Sequence, residues 1–445
     1  MPRPRVIDQV AAFFELASTS DYIGEPVSQA EHALQCAALA ARQGDDELTL
    51  AALLHDVGHL AFPDAEKMGQ VGVLDHEALG ADFLAALGFS PRVCRLVAGH
   101  VAAKRYLAVT RPGYLDRLSP ASHETLSWQG GPMSSNEVKE FEASPDRAAL
   151  TALRAFDEAA KQPGLKVPGL EAYVPAIERH LEDRQPGEAT VTRFRESGFV
   201  RLPGFLGPRE VDRLRSRIEW LAEHKPQPGA WMRYFEDTAS GERRLGRIED
   251  FAKESSLLGQ LVDSPALIEL TSRLMDSPAC LFKEKVNFKR PGGGAFAPHQ
   301  DAPAFTSFGH PWHITVMVAL DDATPENGCL EVVPGVWDHV LATNDDLTMA
   351  DSVVKELAWT PLQVRAGDLV CFHSYLPHRS ANNLTRGSRR AIFATYNRAS
   401  EGDVRDAYFA EKRRVFPPDD EREPGRTYEA GVFNVGNPIS TATTS

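Results

Sequence analysis

The stretch Leu50 to Leu60, LAALLHDVGHL, constrains this chain more than any other. Its apolar residues recur at helical spacing, yet His55 and Asp56 sit among them. Burying an imidazole beside a carboxylate is unfavourable unless both find partners, and a metal ion is a partner for both. A hydrogen-bonded core histidine at a capped helix end is the other reading. The surrounding sequence separates the two. Residues 6 to about 185 read as helices: VIDQVAAFFELAS, SQAEHALQCAALAARQG, LTLAALLHDVG, LDHEALGADFLAALG, PRVCRLVAGHVAAKRYL, SPDRAALTALRAFDEAAK, and one from about Gly169 to Arg184. These helices or their edges carry His32, His76, His100 and Asp157, in addition to His55 and Asp56. Six such donors exceed what one ion with open positions needs, and two ions bridged by Asp56 fit the count. Imidazole with carboxylate suits iron, manganese or zinc.

After Thr190 the pattern changes. FRESGFVRLPGFLGPREVDRLRSRIEWLAEH reads as a short strand, a turn and an amphipathic helix. From Cys280 onward short strand-like runs dominate: VNFKR, HITVMVALDD, LEVVPG, LVCFH and AIFATYN, with Gly, Pro and Asn between them. This is a jelly-roll pattern. The breaker QPGE puts the boundary between domains 1–187 and 188–445, and the tail after Arg413 reads as irregular. The expected fold is therefore multidomain: an all-α N-terminal domain, then a double-stranded β-helix of jelly-roll or cupin-like type with flanking helices.

The β half carries PHQDAPAF, with His299 and Asp301, and later LPHRSANN, with His378. His-x-Asp plus a distant His is the two-histidine, one-carboxylate facial arrangement, which leaves three positions of an iron open. His373 is a rival for the distal place but lies inside the apolar run LVCFH. His378 is preferred because Arg389 follows eleven residues on, where a guanidinium can hold a carboxylate in a bidentate pair.

These residues carry two resemblances. The order His, His-Asp, His, His, Asp resembles the HD-domain superfamily in its two-metal form. The motifs DYIGEPVSQAEHALQ, HDVGH, GHVAAKRYL and LSWQGGPMS extend the likeness over roughly residues 5 to 180. His76 and His100 move it toward the mixed-valent diiron oxygenases, above all the branch that cleaves the carbon–phosphorus bond of a hydroxylated aminoethylphosphonate. The resemblance implies an Fe(II)/Fe(III) centre with O2 as cosubstrate. It also implies a capping role for Tyr22, a contact of Glu25 with the substrate amine, and phosphonate binding by His59, Lys104, Ser122 and Gln129. The β half, from about Phe194 to Asn397, resembles the phytanoyl-CoA dioxygenase family through SGFVRLPGFL, HQD, ALDDATPENGCLEVVPG and GDLVCFHSYLPHRSANN. That likeness implies Fe(II) and 2-oxoglutarate, with the 2-oxoglutarate carboxylate on Arg389 and, less directly, Ser380. Asn287 and Thr315 lie on strands that can face the pocket. Arg243, Arg244, Lys285 and Lys289 remain open candidates for a substrate phosphonate.

Together the resemblances imply consecutive oxidations of a small phosphonate. The C-terminal domain hydroxylates the carbon next to phosphorus of 2-aminoethylphosphonate or a close analogue. The N-terminal domain then cleaves the hydroxyphosphonate to glycine, or its analogue, and phosphate. The alternative is an HD nucleotide phosphohydrolase, or a diiron sensor, fused to a 2-oxoglutarate-dependent hydroxylase of another small molecule. A net charge of −14 argues against nucleic acid as partner. The five scattered cysteines, the lack of an apolar leader and the lack of a membrane-length apolar run lead to an expectation of a cytoplasmic protein without a membrane partner. Oligomeric state is left open.

Overall fold

The computed structural model describes residues 6–20, 22, 25–62, 65–69, 71–184, 187–237 and 241–441. Gln185 and Pro186 of the expected breaker lie outside the described residues, as do Asp21, Ile23 and Gly24 of the stretch around Tyr22. The chain divides into two compact units, Met1–Gln185 and Pro186–Ser445. Among the described residues no helix is long and apolar enough to cross a membrane.

The first unit is all helix: α1 (Val6–Thr19), α2 (Gln29–Ala41), α3 (Asp46–Leu54), α4 (Val57–Ala61), α5 (His76–Ala86), α6 (Pro91–Thr110), α7 (Pro120–Trp128), α8 (Ser135–Glu142), α9 (Arg147–Ala159) and α10 (Val174–Arg184). Their starts are chemically marked. Ser28 and Glu31 form a capping box at α2, Asp45 caps α3, and Ser90 caps α6 ahead of Pro91. All seven residues Leu48 to Leu54 of α3 are buried, so this helix is the centre of the apolar core. The expected helix through residues 48–58 is not continuous. α3 ends at Leu54, Asp56 has φ −100° and ψ 10°, and α4 begins at Val57. The break lets Asp56 leave the helix surface, which an unbroken α-helix would not permit.

The second unit contains β1 (Phe199–Leu202), β2 (Met232–Asp237), β3 (Arg243–Glu249), β4 (Ala279–Lys289), β5 (Phe296–His299), β6 (Ile314–Ala319), β7 (Leu330–Val332), β8 (Thr360–Leu362), β9 (Leu369–His373), β10 (His378–Ser380) and β11 (Arg389–Arg398). All strand pairs are antiparallel. One sheet has seven strands in the order β1-β9-β6-β11-β4-β3-β2, the other four in the order β5-β10-β7-β8. This is the jelly-roll class read from the sequence. The tail after Arg413 has little regular structure, yet Phe416, Tyr428, Phe433, Val435 and Ile439 are buried against Tyr234 and Phe282. It is part of the core rather than an appendage.

One buried ion pair joins the helix Arg405–Val415 to β4. Arg405 Nε donates to Glu284 Oε2 at 2.9 Å and its Nη2 donates to Asp250 at 2.9 Å, while the Ala252 amide donates to Glu284 at 3.0 Å. Glu284 is 1% exposed. Arg405→Met leaves that carboxylate buried without its cation, and a loss of about 3–5 kcal/mol of stability is expected. Urea unfolding with an unchanged slope checks it.

Candidate metal centres and their pockets

In the first unit the six donors converge. His55 and Asp56 occupy the α3–α4 break, His32 comes from α2, His76 opens α5, His100 is in α6 and Asp157 is in α9. Gly58 makes the approach possible: a Cβ there would lie 2.0 Å from the His76 carbonyl oxygen, so only glycine lets α4 touch α5.

The Asp56 carboxylate faces two ways. Oδ2 lies 3.2 Å from His55 Nε2 and 3.8 Å from His32 Nε2, whereas Oδ1 lies 3.4 Å from His76 Nε2 and 3.7 Å from His100 Nε2. Asp157 Oδ1 is 3.5 Å from His32 Nε2, and its other oxygen accepts from Arg154. Three rings have their tautomer fixed by the main chain. Nδ1 of His32 faces the Ala160 carbonyl at 2.8 Å, that of His55 the Ala52 carbonyl at 2.9 Å, and that of His100 the Val97 carbonyl at 2.7 Å. A carbonyl only accepts, so each Nδ1 carries a hydrogen and each neutral ring turns a bare Nε2 inward. His32 Nε2 and His55 Nε2 then meet lone pair to lone pair at 3.2 Å. Two such nitrogens repel unless a cation stands beside them. Burial lowers the pKa of His55, but Asp56 outweighs it and raises it to about 9, so the inward Nε2 takes up a proton in the place that a metal ion would take instead. His100 is pushed down to about 3 by burial and by His76. The residues fit a two-metal set. Cys36 Sγ lies 3.7 Å from His32 Nε2, close enough for His32, Cys36 and His55 to share one ion, and burial raises the thiol pKa well above the usual range.

A cavity of about 370 Å³ opens beside Asp56, His76, His100 and Asp157. Every pocket residue named from the sequence lines it: Tyr22, Glu25, His59, Lys104, Ser122 and Gln129. Tyr22 stacks on His32 with ring centroids 4.0 Å apart. His59 stacks on His76 at 4.0 Å, and its Nδ1 accepts from the Val73 amide. Lys104 is buried and donates to Thr125 Oγ1 at 2.8 Å; burial, then Arg154, lowers its pKa to about 7. Gln129 Oε1 is buried without a hydrogen-bond partner among the described residues. Glu25 is not free: Lys161 Nζ donates to it at 2.7 Å. Burial raises the Glu25 pKa, but the Lys161 and Ser119 hydrogen bonds outweigh that and hold it below the usual value.

Sequence reading missed Arg154, Lys161 and Thr125, which also line this cavity. Arg154 is 4% exposed, with Nη2 unpartnered among the described residues. Its spacing of three from Asp157 on one helix was the available signal.

In the second unit His299 ends β5, Asp301 follows it, and His378 opens β10, paired in register with His299. One donor atom from each lies within 4.8 Å of the others. Here too the tautomers are set by carbonyls two residues back: His299 Nδ1 to Ala297 at 2.7 Å and His378 Nδ1 to Leu376 at 3.0 Å. Both Nε2 atoms are left as ligands, so the set fits one ion. His373 stacks on Trp312, and its Nδ1 accepts from the Tyr375 amide, away from this group. Arg389 lines the adjoining cavity with its Nε buried and unpartnered among the described residues; burial pulls its pKa down to about 10. Ser380 lines it too, but its hydroxyl accepts from Lys289 Nζ at 2.7 Å. Asn287 and Thr315 also line this cavity.

Residues 194–391 match the family described as phytanoyl-CoA dioxygenase, and residues 30–127 match the HD domain. A 2-aminoethylphosphonate dioxygenase from the uncultured bacterium HF130_AEPn_1 is 44% identical over 252 residues, 56% of this chain and 96% of that protein. A methylphosphonate hydroxylase from Gimesia maris is 38% identical over 230 residues, 52% of this chain and 87% of that protein. A glycine-betaine-forming 1-hydroxy-2-(trimethylamino)ethylphosphonate dioxygenase from Leisingera caerulea is 37% identical over 186 residues, 40% of this chain and 92% of that protein.

Proposed function

Since the chain belongs to the phytanoyl-CoA dioxygenase family in its second unit and to the HD-domain family in its first, we propose that it is a bifunctional oxygenase of phosphonate degradation, divided between residues 1–187 and 188–445. The second unit hydroxylates the carbon bearing phosphorus of 2-aminoethylphosphonate, with 2-oxoglutarate and O2 consumed and succinate and carbon dioxide formed. The first unit takes the hydroxyphosphonate and O2 to glycine and phosphate. The observation that carries this reading is Asp56, with one oxygen toward His32 and His55 and the other toward His76 and His100. A phosphohydrolase with one ion has no need of His76 and His100.

In the first unit Asp56 would bridge two irons, with His32, His55 and Asp157 on one and His76 and His100 on the other. The irons, when bound, supply the redox chemistry with O2. The chain's own residues hold the substrate. Lys104 and Arg154 provide positive charge for the phosphonate, and His59, Ser122 and Gln129 provide hydrogen bonds. Tyr22 covers His32 and limits water there. In the second unit His299, Asp301 and His378 would hold one Fe(II), and Arg389 would take the far carboxylate of 2-oxoglutarate. Anaerobic incubation of the iron-loaded protein with 2-aminoethylphosphonate and 2-oxoglutarate, followed by oxygen and phosphorus NMR, tests the whole scheme. A hydroxyphosphonate signal that gives way to phosphate is expected, and phosphate formed without oxygen would return the first unit to hydrolysis.

The Glu25 carboxylate faces the amine end of the proposed substrate. A primary ammonium offers N–H donors that can share it with Lys161, and a trimethylammonium offers none. Glu25→Ala is expected to weaken use of the aminated hydroxyphosphonate by about 1.5–3 kcal/mol, the range for a hydrogen bond to a charged group. Amine-free hydroxymethylphosphonate should lose less. Specificity constants for primary-amine, trimethylamine and amine-free hydroxyphosphonates check this, and an equal loss on all three would remove Glu25 from amine recognition.

A further inference from the structure

The second unit holds cations that the roles above leave without a task. Lys283, Lys285 and Asn287 alternate along β4, so the pleat puts them on one face. All three line the cavity of Arg389, and the two lysines also line a neighbouring cavity. The residues common to both spaces are Lys283, Lys285, His299 and Asp301, so the lysines stand beside the metal-facing donors where the spaces meet.

The neighbouring cavity is also lined by Arg247, Lys412 and Glu249. Glu249 is already taken, with Arg247 Nη1 at 3.1 Å and Lys412 Nζ at 2.5 Å. The Lys283 ammonium rests over the Phe305 ring at 3.9 Å and the Lys285 ammonium over the Phe393 ring at 5.4 Å, and neither has a carboxylate partner among the described residues. Around this cavity four cations, Arg247, Lys283, Lys285 and Lys412, stand against two carboxylates, Glu249 and Asp301, an excess of two positive charges. Held off from water, such a formal excess is relieved either by a lysine giving up its proton, since burial holds Lys283 well below its usual pKa, or by an anion that joins it. A dianion with several acceptor oxygens satisfies both the charge and the donors.

The other open candidates are spent elsewhere. Arg243 pairs with Asp237 and Asp419, Arg244 pairs with Glu242, and both line a separate cavity with Arg290 and Pro291. Lys289 donates to Ser380 and to the Ala381 carbonyl.

We infer that Lys283 and Lys285 bind the phosphonate dianion of the second unit's alkylphosphonate substrate, where the two cavities meet beside His299 and Asp301. This deepens the oxidative reading of the second unit and rests on it. The test uses full-length, iron(II)-loaded protein. Succinate formation is measured against 2-aminoethylphosphonate at saturating 2-oxoglutarate, and then against 2-oxoglutarate at saturating phosphonate. Lys283→Gln and Lys285→Gln should each raise KM for the phosphonate about 10- to 100-fold, the loss of one charge-assisted hydrogen bond, while KM for 2-oxoglutarate moves less than about threefold. Lys283→Arg should recover part of the loss, because the charge stays. If glutamine lowers the melting temperature, Lys283→Met keeps the stem on Phe305 and carries the same comparison. A phosphonate KM within about twofold of wild type in both variants, or an equal rise of both KM values, overturns the assignment. Wild-type protein that forms no succinate with any alkylphosphonate would instead overturn the oxidative reading on which it rests.

Discussion

Asp56→Ala is expected to leave succinate and hydroxyphosphonate formation intact while abolishing phosphate release, so that the hydroxy compound accumulates. Among the described residues Asp56 is the one that faces both histidine pairs of the first centre. Removing it takes a ligand from both proposed irons and leaves the bare Nε2 atoms of His32 and His55 facing each other without a carboxylate bridge. The loss should exceed the roughly 10–100-fold typical of residues that merely support metal ligands. The mirror change, His378→Ala, removes a proposed ligand from the other centre and should stop succinate formation yet spare phosphate release from added hydroxyphosphonate. Metal analysis runs alongside: about three ions per filled chain, one fewer after His299→Ala and up to two fewer after His55→Ala, from ligand counting. A single substitution that silences both half-reactions in folded protein would refute the two-centre scheme, as would a first unit that holds at most one tight ion.

Arg389→Met is expected to raise KM for 2-oxoglutarate by roughly 30- to several-thousandfold, the range for truncating one partner of a buried, hydrogen-bonded charge pair. Arg389 is 4% exposed, its Nε has no partner among the described residues, and burial already lowers its pKa to about 10. Such a group is poorly satisfied until an anion arrives, so the carboxylate gains more here than at a surface arginine. The effect should fall on 2-oxoglutarate and not on the phosphonate. Steady-state succinate formation with each cosubstrate varied in turn measures it, and a change confined to the phosphonate would give Arg389 to the other substrate.

The residues that cluster at the two candidate centres were legible because metal chemistry restricts the residue types and helices repeat them at readable intervals. The break at His55–Asp56 was not legible, because LAALLHDVGHL keeps helical periodicity across a junction that geometry imposes. Arg154 and Lys161 escaped notice for a different reason. A basic residue on an amphipathic helix reads as solvated, and only the packing of α9 against α2 and α6 reveals that these two face a cavity. β2 and β3, MRYFED and RRLGRIE, do not read as buried strands, because their charges are satisfied across long sequence gaps, as with Arg233 on Asp420. The same holds for the tail, whose widely spaced aromatic residues find their core only in three dimensions.

The rings of His32, His55 and His100 are oriented by the main-chain carbonyls of Ala160, Ala52 and Val97. No side-chain substitution deletes a carbonyl, so the aim of these ligands is a property of helix turns. A ring that swings away from the cluster gives up its hydrogen bond to the turn that holds it. In the proposed scheme the free energy of metal binding would thereby add to the cost of opening the end of α3, the middle of α6 and the end of α9. On the proposed metal loading, amide hydrogen exchange is expected to slow in these turns.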